Sequence, residues 1–290
     1  MNIRHARRST CCAALALAAA LSAFVSTAQA QAATDACGPA DQIIENAYPQ
    51  ARRDADGTGY VLGDRKLMLP GQPSGDAPSM VCKVWPAHDE LLLVAVPDMN
   101  AKESLAQDRD GNLDLLVVDR KTAKVLQRLA LPDAMSDDAV RIESLEFDTA
   151  RYVVAPGVQA FGLRTNRNGA SRVNPFSETS LQLFTLRDGN AGPIRMVLDG
   201  LAVSRGTGEW DGMCAGSFSE RKAVLAMTND MHAGLADIRV SVTGEDTKQA
   251  PVGKKAGGDC KETTTKLPRA QHTLRYDGRR YVVPDALKAM

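Results

Sequence analysis

Along most of the chain, hydrophobic and polar residues alternate in short runs bounded by Gly, Pro, Asn, Asp and Ser, the period of strands and turns. In the segment Gly157 to Leu186, Val158, Ala160 and Gly162 alternate with Gln159, Phe161 and Leu163. Further on, Leu181, Leu183 and Thr185 alternate with Gln182, Phe184 and Leu186. A long hairpin is predicted there, its two strands flanking a polar loop that carries Arg164, Arg167 and Arg172. The same reading predicts strands at 60–62, 66–69, 80–85, 90–96, 113–119, 123–131, 141–147, 194–198, 201–205, 222–227 and 237–243. A last hairpin is expected at 271–276 and 280–283 across the Tyr276-Asp277-Gly278-Arg279 turn, with one helical turn after Pro284.

Helical spacing occurs once after the first 30 residues. Cys37-Gly38-Pro39 opens it, Ile43, Ile44, Ala47 and Tyr48 make one apolar stripe, and Pro49 stops it. This short helix is expected to cover an open face or edge of the sheet, pinned there by Cys37. The segment Gly244 to Lys266 has few large apolar groups and is predicted to be a long exposed loop restrained by Cys260. No repeat period is present. These elements predict an all-β fold, a mostly antiparallel sandwich, barrel or propeller-like fragment built of hairpins with one short N-terminal helix.

Residues 1–30 have the three parts of a secretory signal peptide: Arg4, Arg7 and Arg8, an apolar stretch from Cys11 to Val25, and Ala28-Gln29-Ala30 as the cleavage site. Cleavage near Ala30 leaves residues 31–290, expected to form a single domain in the periplasm or outside the cell. Four cysteines then remain, Cys37, Cys82, Cys214 and Cys260, an even number in an oxidising compartment. Of the three possible connectivities, Cys37 with Cys82 and Cys214 with Cys260 is preferred, because each pair closes a loop of similar length within its own half of the chain. The whole chain carries 35 basic and 35 acidic residues, and the signal removes three arginines and no acid. A near-neutral chain with interspersed charges offers nothing for nucleic acid or an anionic membrane surface. The apolar stretch is too short and too Ala-rich for a membrane span, so the mature chain is not expected to be membrane-embedded.

Several stretches could carry chemistry. Asp108, Asp110, Asn112 and Asp114 place oxygen ligands at alternating positions, as in a calcium loop. Gly111, however, falls at the fourth position of that loop where an EF-hand needs the sixth, so an Asp-Gly turn is the preferred reading and no metal or other cofactor is expected. Ser217 and Ser219 lie near His232 in sequence, and a Ser-His-Asp set with Asp211 or Asp237 would assemble through space; His88 and His272 stand in no metal or triad spacing. Glu209-Trp210-Asp211 sets two acids around an aromatic ring, the look of a glycan site, and Trp85 is the other candidate binding aromatic. Arg164, Arg167 and Arg172 form a possible anion-binding loop.

GLADIRV followed by TLRYDGRRYV is similar to the ending, G-x-x-D-(I/L)-x-V … Y-D-G-x-x-Y, of many uncharacterised exported bacterial β proteins. The resemblance implies an exported β protein and supplies no catalytic residues. The function expected from the sequence is a non-enzymatic binding or interaction module of the periplasm, with an envelope protein or glycan as partner. An envelope hydrolase built on Ser217, His232 and either Asp211 or Asp237 is the alternative.

Overall fold

The computed structural model describes residues 37–71, 78–100, 110–135, 138–186, 192–253 and 259–290. The expected signal peptide and its cleavage site lie outside these residues. One α-helix, α1 (Ala40–Ala47), precedes the strands β1 (Arg52–Arg53), β2 (Gly59–Leu62), β3 (Arg65–Met68), β4 (Val81–Trp85), β5 (His88–Asn100), β6 (Gly111–Asp119) and β7 (Val125–Leu131). These strands form the first sheet, in the order β1-β2-β3-β5-β6-β7 with β4 also on β5. The second sheet holds β8 (Val140–Ala155), β9 (Val158–Gly169), β10 (Phe176–Leu186), β11 (Ile194–Trp210), β12 (Gly216–His232), β13 (Leu235–Pro251), β14 (Cys260–Lys266) and β15 (Ala270–Leu274). It runs β14-β13-β12-β11-β10-β9-β8, with β15 also on β13, and all its pairings are antiparallel.

The two sheets pack as a sandwich, and period-2 side-chain direction explains how the first sheet is filled on both faces. Leu91, Leu93 and Ala95 of β5 and Leu113, Leu115 and Val117 of β6 face the second sheet, meeting Phe147, Phe161, Leu163 and Phe184. Their neighbours Leu92, Val94, Val96, Leu116 and Val118 point the other way, onto Ile43, Ile44 and Tyr48 of α1. A strand buried on both faces needs an unbroken apolar run, which LLLVAV supplies. Pro97 is tolerated within β5 because the pairing with β4 ends at Ala95 and that with β3 begins at Met99. The disulfide Cys37–Cys82, with α-carbons 5.0 Å apart, ties the start of α1 to β4, as the sequence predicted.

A further cluster fills the proximal half of the second sheet, drawing Val154, Leu181, Leu183, Leu201, Ile238, Val240 and Leu274 together with Tyr276 and Tyr281. The C-terminal segment takes the edge of β11 that β12 leaves beyond the Ser204–Lys222 pair. Tyr281 N–H donates to Val197 O at 2.7 Å, and Ala289 N–H to Gly200 O at 2.7 Å. Beyond Val203 on β11 and Val240 on β13 the strands continue without a core: no residue of β12 or β14, and none of these distal stretches, is buried.

That core-free distal half differs from the sequence expectation. Gly244 to Lys266 is not a long loop, since Gly244–Pro251 completes β13 and Cys260–Lys266 forms β14. Both faces of these strands meet solvent, so no apolar alternation marks them; backbone pairing and the Cys214–Cys260 disulfide, α-carbons 5.6 Å apart, hold them in place. The stretches 194–198 and 201–205 are one strand, continued through Gly200 in a left-handed conformation (φ 64°).

Candidate functional site

Seven strands lie side by side in the distal half, from β8 to β14, which makes a surface about 30 Å wide at the usual strand spacing. One face carries short hydroxyl and amide side chains joined across strands, together with Glu220, Lys222, Glu245 and Lys266. Asn166 Nδ2 donates to Ser144 Oγ at 2.8 Å, and Thr179 Oγ donates to Asn166 Oδ1 at 2.7 Å. On the far side of the same face Thr247 and Thr264 hydroxyls are 2.9 Å apart, and Gln249 Nε2 donates to Glu262 at 2.9 Å.

Between these two polar ladders the face carries two aromatic rings on a glycine floor. Gly208 pairs with Phe218 and Trp210 with Gly216, so both rings project from this face on diagonal positions. A Cβ at Gly208 would stand 2.5 Å from the Phe218 ring and 3.0 Å from Pro175, and a Cβ at Gly216 would stand 3.0 Å from Phe218. Only glycine at both places lets the Phe218 ring lie down against β11 and its own strand. Next to it opens a cleft of about 200 Å³ lined by Asn168, Pro175, Ser177, Gly206, Phe218 and Glu220. A larger shallow cleft of about 630 Å³ lies beyond, at Trp210, Val173, Asn174, Gly216, Lys248 and Gln249.

The turn at the end of β11 is built by Asp211. Its Oδ1 accepts the backbone N–H groups of Met213, Cys214 and Ala215 at 2.8, 2.9 and 3.0 Å. Those hydrogen bonds, Met213's first, hold the carboxyl below its ordinary value. Asp211 therefore positions the turn that presents Cys214 to Cys260, and it is not half of an acid pair with Glu209.

The Ser-His-Asp set does not assemble. His232 Nδ1 and Asp237 Oδ1 are 2.7 Å apart across the tight β12–β13 turn, and Asp237 is buried. Ser217 sits at the other end of β12, 15 positions from His232, which is roughly 50 Å of extended strand. Ser219 and Asp211 share that distal end. Among the described residues no hydroxyl or thiol is hydrogen-bonded to the remaining nitrogen of His232. His88 packs edge-on against Trp85 with ring centroids 4.6 Å apart, and His272 lies on β15 opposite Val240. Trp85 itself is fully buried between the sheets, which removes it as a binding aromatic.

The three arginines of the predicted loop also part company. β9 runs to Gly169, so Arg164 and Arg167 are strand residues and only Arg172 is in the loop. The β9–β10 register is unbroken from Phe161 to Asn168, which puts Arg164 and Arg167 on opposite faces. Arg164 grips Asp148 Oδ2 through Nε at 2.9 Å and Nη2 at 2.6 Å, and Arg167 donates to Ser180 Oγ at 3.2 Å.

Of the calcium candidates, Asp108 lies outside the described residues, Asp110 precedes β6, and Asn112 and Asp114 are within it. Asp114 is buried and already bound by the Tyr48 hydroxyl at 2.6 Å and by Arg128. Burial first, and then Asp114, raises the Tyr48 phenol, which keeps it a donor. Asn112 Oδ1 accepts Asp133 N–H at 3.1 Å. No three His, Cys, Asp or Glu side chains among the described residues are grouped to hold a metal ion.

Compared with known proteins, the chain matches no protein-family profile, no curated protein and no solved structure. The site thus rests on geometry. Trp210 stands out in the sequence, whereas Phe218 and the glycines do not: their signal is G-x-G-x-W facing G-x-F in successive strands, visible only once the register is known.

Proposed function

We infer that this protein is an exported, non-enzymatic binding module that uses the distal face of its second sheet. The observation that carries the reading is the Phe218 and Trp210 pair on a glycine floor between two polar ladders, built where the fold has no core to fill. Such a face needs another reason to be kept ordered, and the Cys214–Cys260 disulfide holds it in shape. Export is supported by the signal-like first 30 residues and by the two disulfides. A binding role is favoured over hydrolysis because the His232–Asp237 pair stands at the opposite end of the sheet from Ser217 and has no other nucleophile bonded to it.

The test is co-sedimentation of the mature chain with isolated bacterial envelope material. Asn168→Trp, which puts a bulky ring over the smaller cleft from an exposed position, is expected to abolish sedimentation, whereas His232→Ala leaves it intact. Ester or peptide turnover that disappears in His232→Ala would overturn the reading, as would equal sedimentation of both variants.

A further inference from the structure

The chemistry of the distal face identifies its ligand class. We propose that a linear, uncharged polysaccharide lies along β11, its sugar rings stacked on Phe218 and Trp210 and its hydroxyls bonded to the neighbouring amides and hydroxyls. This rests on the binding-module reading and goes beyond it by naming the ligand.

Three observations lead there. The two rings are on the same face but are not stacked on each other, so each offers a separate apolar platform to a ring with one apolar side. Phe218 is held flat by the bare backbone at Gly208 and Gly216 and loses little freedom on binding. Around the rings stand neutral groups able to both donate and accept, Asn168, Ser177, Asn174 and Gln249, in the mixture that a polyhydroxylated chain requires.

The charges point the same way. Glu220 borders one cleft, and Glu209, Asp211 and Lys248 border the other, so acids outnumber the one cation. Four arginines of this half of the sheet are engaged: Arg164 with Asp148, Arg205 with Glu178, Arg221 with Asp246, and Arg167 with Ser180. An anionic glycan or a phosphate would meet more carboxylates than cations along these clefts, which a neutral chain tolerates.

Affinity electrophoresis of the mature protein through gels containing soluble β-1,4-glucan, β-1,3-glucan or α-1,4-glucan tests this directly. Retardation by at least one of them is expected, with Phe218→Ala and Trp210→Ala each weakening it by about tenfold or more. Because Phe218→Ala strips cover from the sheet, Asn168→Trp serves as a second variant that blocks the cleft without removing a contact from beneath it. Emission adds an independent readout: the chain has two tryptophans and Trp85 is 0% exposed, so a ligand-dependent change in the accessible signal reports Trp210. The proposal is overturned by no retardation in any neutral gel, by retardation that the variants leave unchanged, or by binding confined to charged polysaccharides. Envelope binding that is lost in Asn168→Trp while every neutral glucan fails would leave the distal face standing as a binding surface and remove only the glycan.

Discussion

Asp98 and Asp148 are both partly sheltered carboxylates, yet their surroundings move them in opposite directions. Burial pushes Asp98 up, and its contacts with Asn112 and Arg65 do not offset that; its Oδ1 is covered and has no partner among the described residues. A raised carboxyl contributes stability below its unfolded pKa of about 3.9 and loses it as pH rises through the folded value, so ionised Asp98 is a cost at neutral pH. Asp98→Asn is expected to keep or raise the melting temperature at pH 7 and to lose any advantage near pH 3; a clear fall at pH 7 would contradict this. At Asp148 burial also works upward, but the Ala150 N–H, Arg164 and Tyr152 together outweigh it and lower the carboxyl. Its contribution is present above the unfolded value and lost as pH falls through the folded one. Asp148→Asn should cost about 1–3 kcal/mol in urea unfolding at pH 7, shrinking below pH 3. Glu178 is the strictest case, its side chain 0% exposed, with Oε2 held by Arg205 and Oε1 accepting Met290 N–H at 2.9 Å. Arg205→Ala strands that charge and should cost about 3–5 kcal/mol, measured in the same way.

How much could be read in advance differed from element to element. Where one face or both faces are buried, the period showed: α1, β5, β6 and the β6–β7 hairpin stand close to where the apolar residues put them. Where both faces are wet, it did not. β14 and the far end of β13 carry Thr, Lys, Glu and Gln on either side, so only their pairing partners mark them as strands. Arg164 and Arg167 read as loop for another reason: the residues buried beside them, Thr165 and Glu178, are polar, so no apolar alternation extends β9 past Leu163. Disulfides are legible because an even cysteine count behind a signal-like segment, together with loop length, constrains them without reference to the sheet. Each closes about 45 residues of chain, for which chain entropy gives on the order of 4 kcal/mol. Replacing Cys214 and Cys260 by serine should speed amide exchange in β14 and the end of β13 while Leu92–Val96 stays protected; replacing Cys37 and Cys82 should instead loosen α1. Faster exchange in β5 after loss of Cys214–Cys260 would mean that the two halves of the second sheet are not separate in stability.

Viewed whole, the molecule divides its work between its two ends. The helix, the first sheet and the proximal second sheet hold three apolar clusters, while the distal stretches of β11 to β14 hold none and present aromatic rings, amides and hydroxyls instead. The His232–Asp237 pair belongs to the proximal end and the proposed binding face to the distal one. Hydrogen exchange followed by mass spectrometry, with and without bound bacterial envelope material, separates the two ends most directly. Slower exchange is expected at Arg164–Gly169, Phe176–Ser180, Ser204–Trp210, Gly216–Lys222 and Thr243–Pro251, with α1 and the segment around His232 unchanged. Protection confined to α1 or to the His232 turn, or no protection anywhere along the chain, would contradict it.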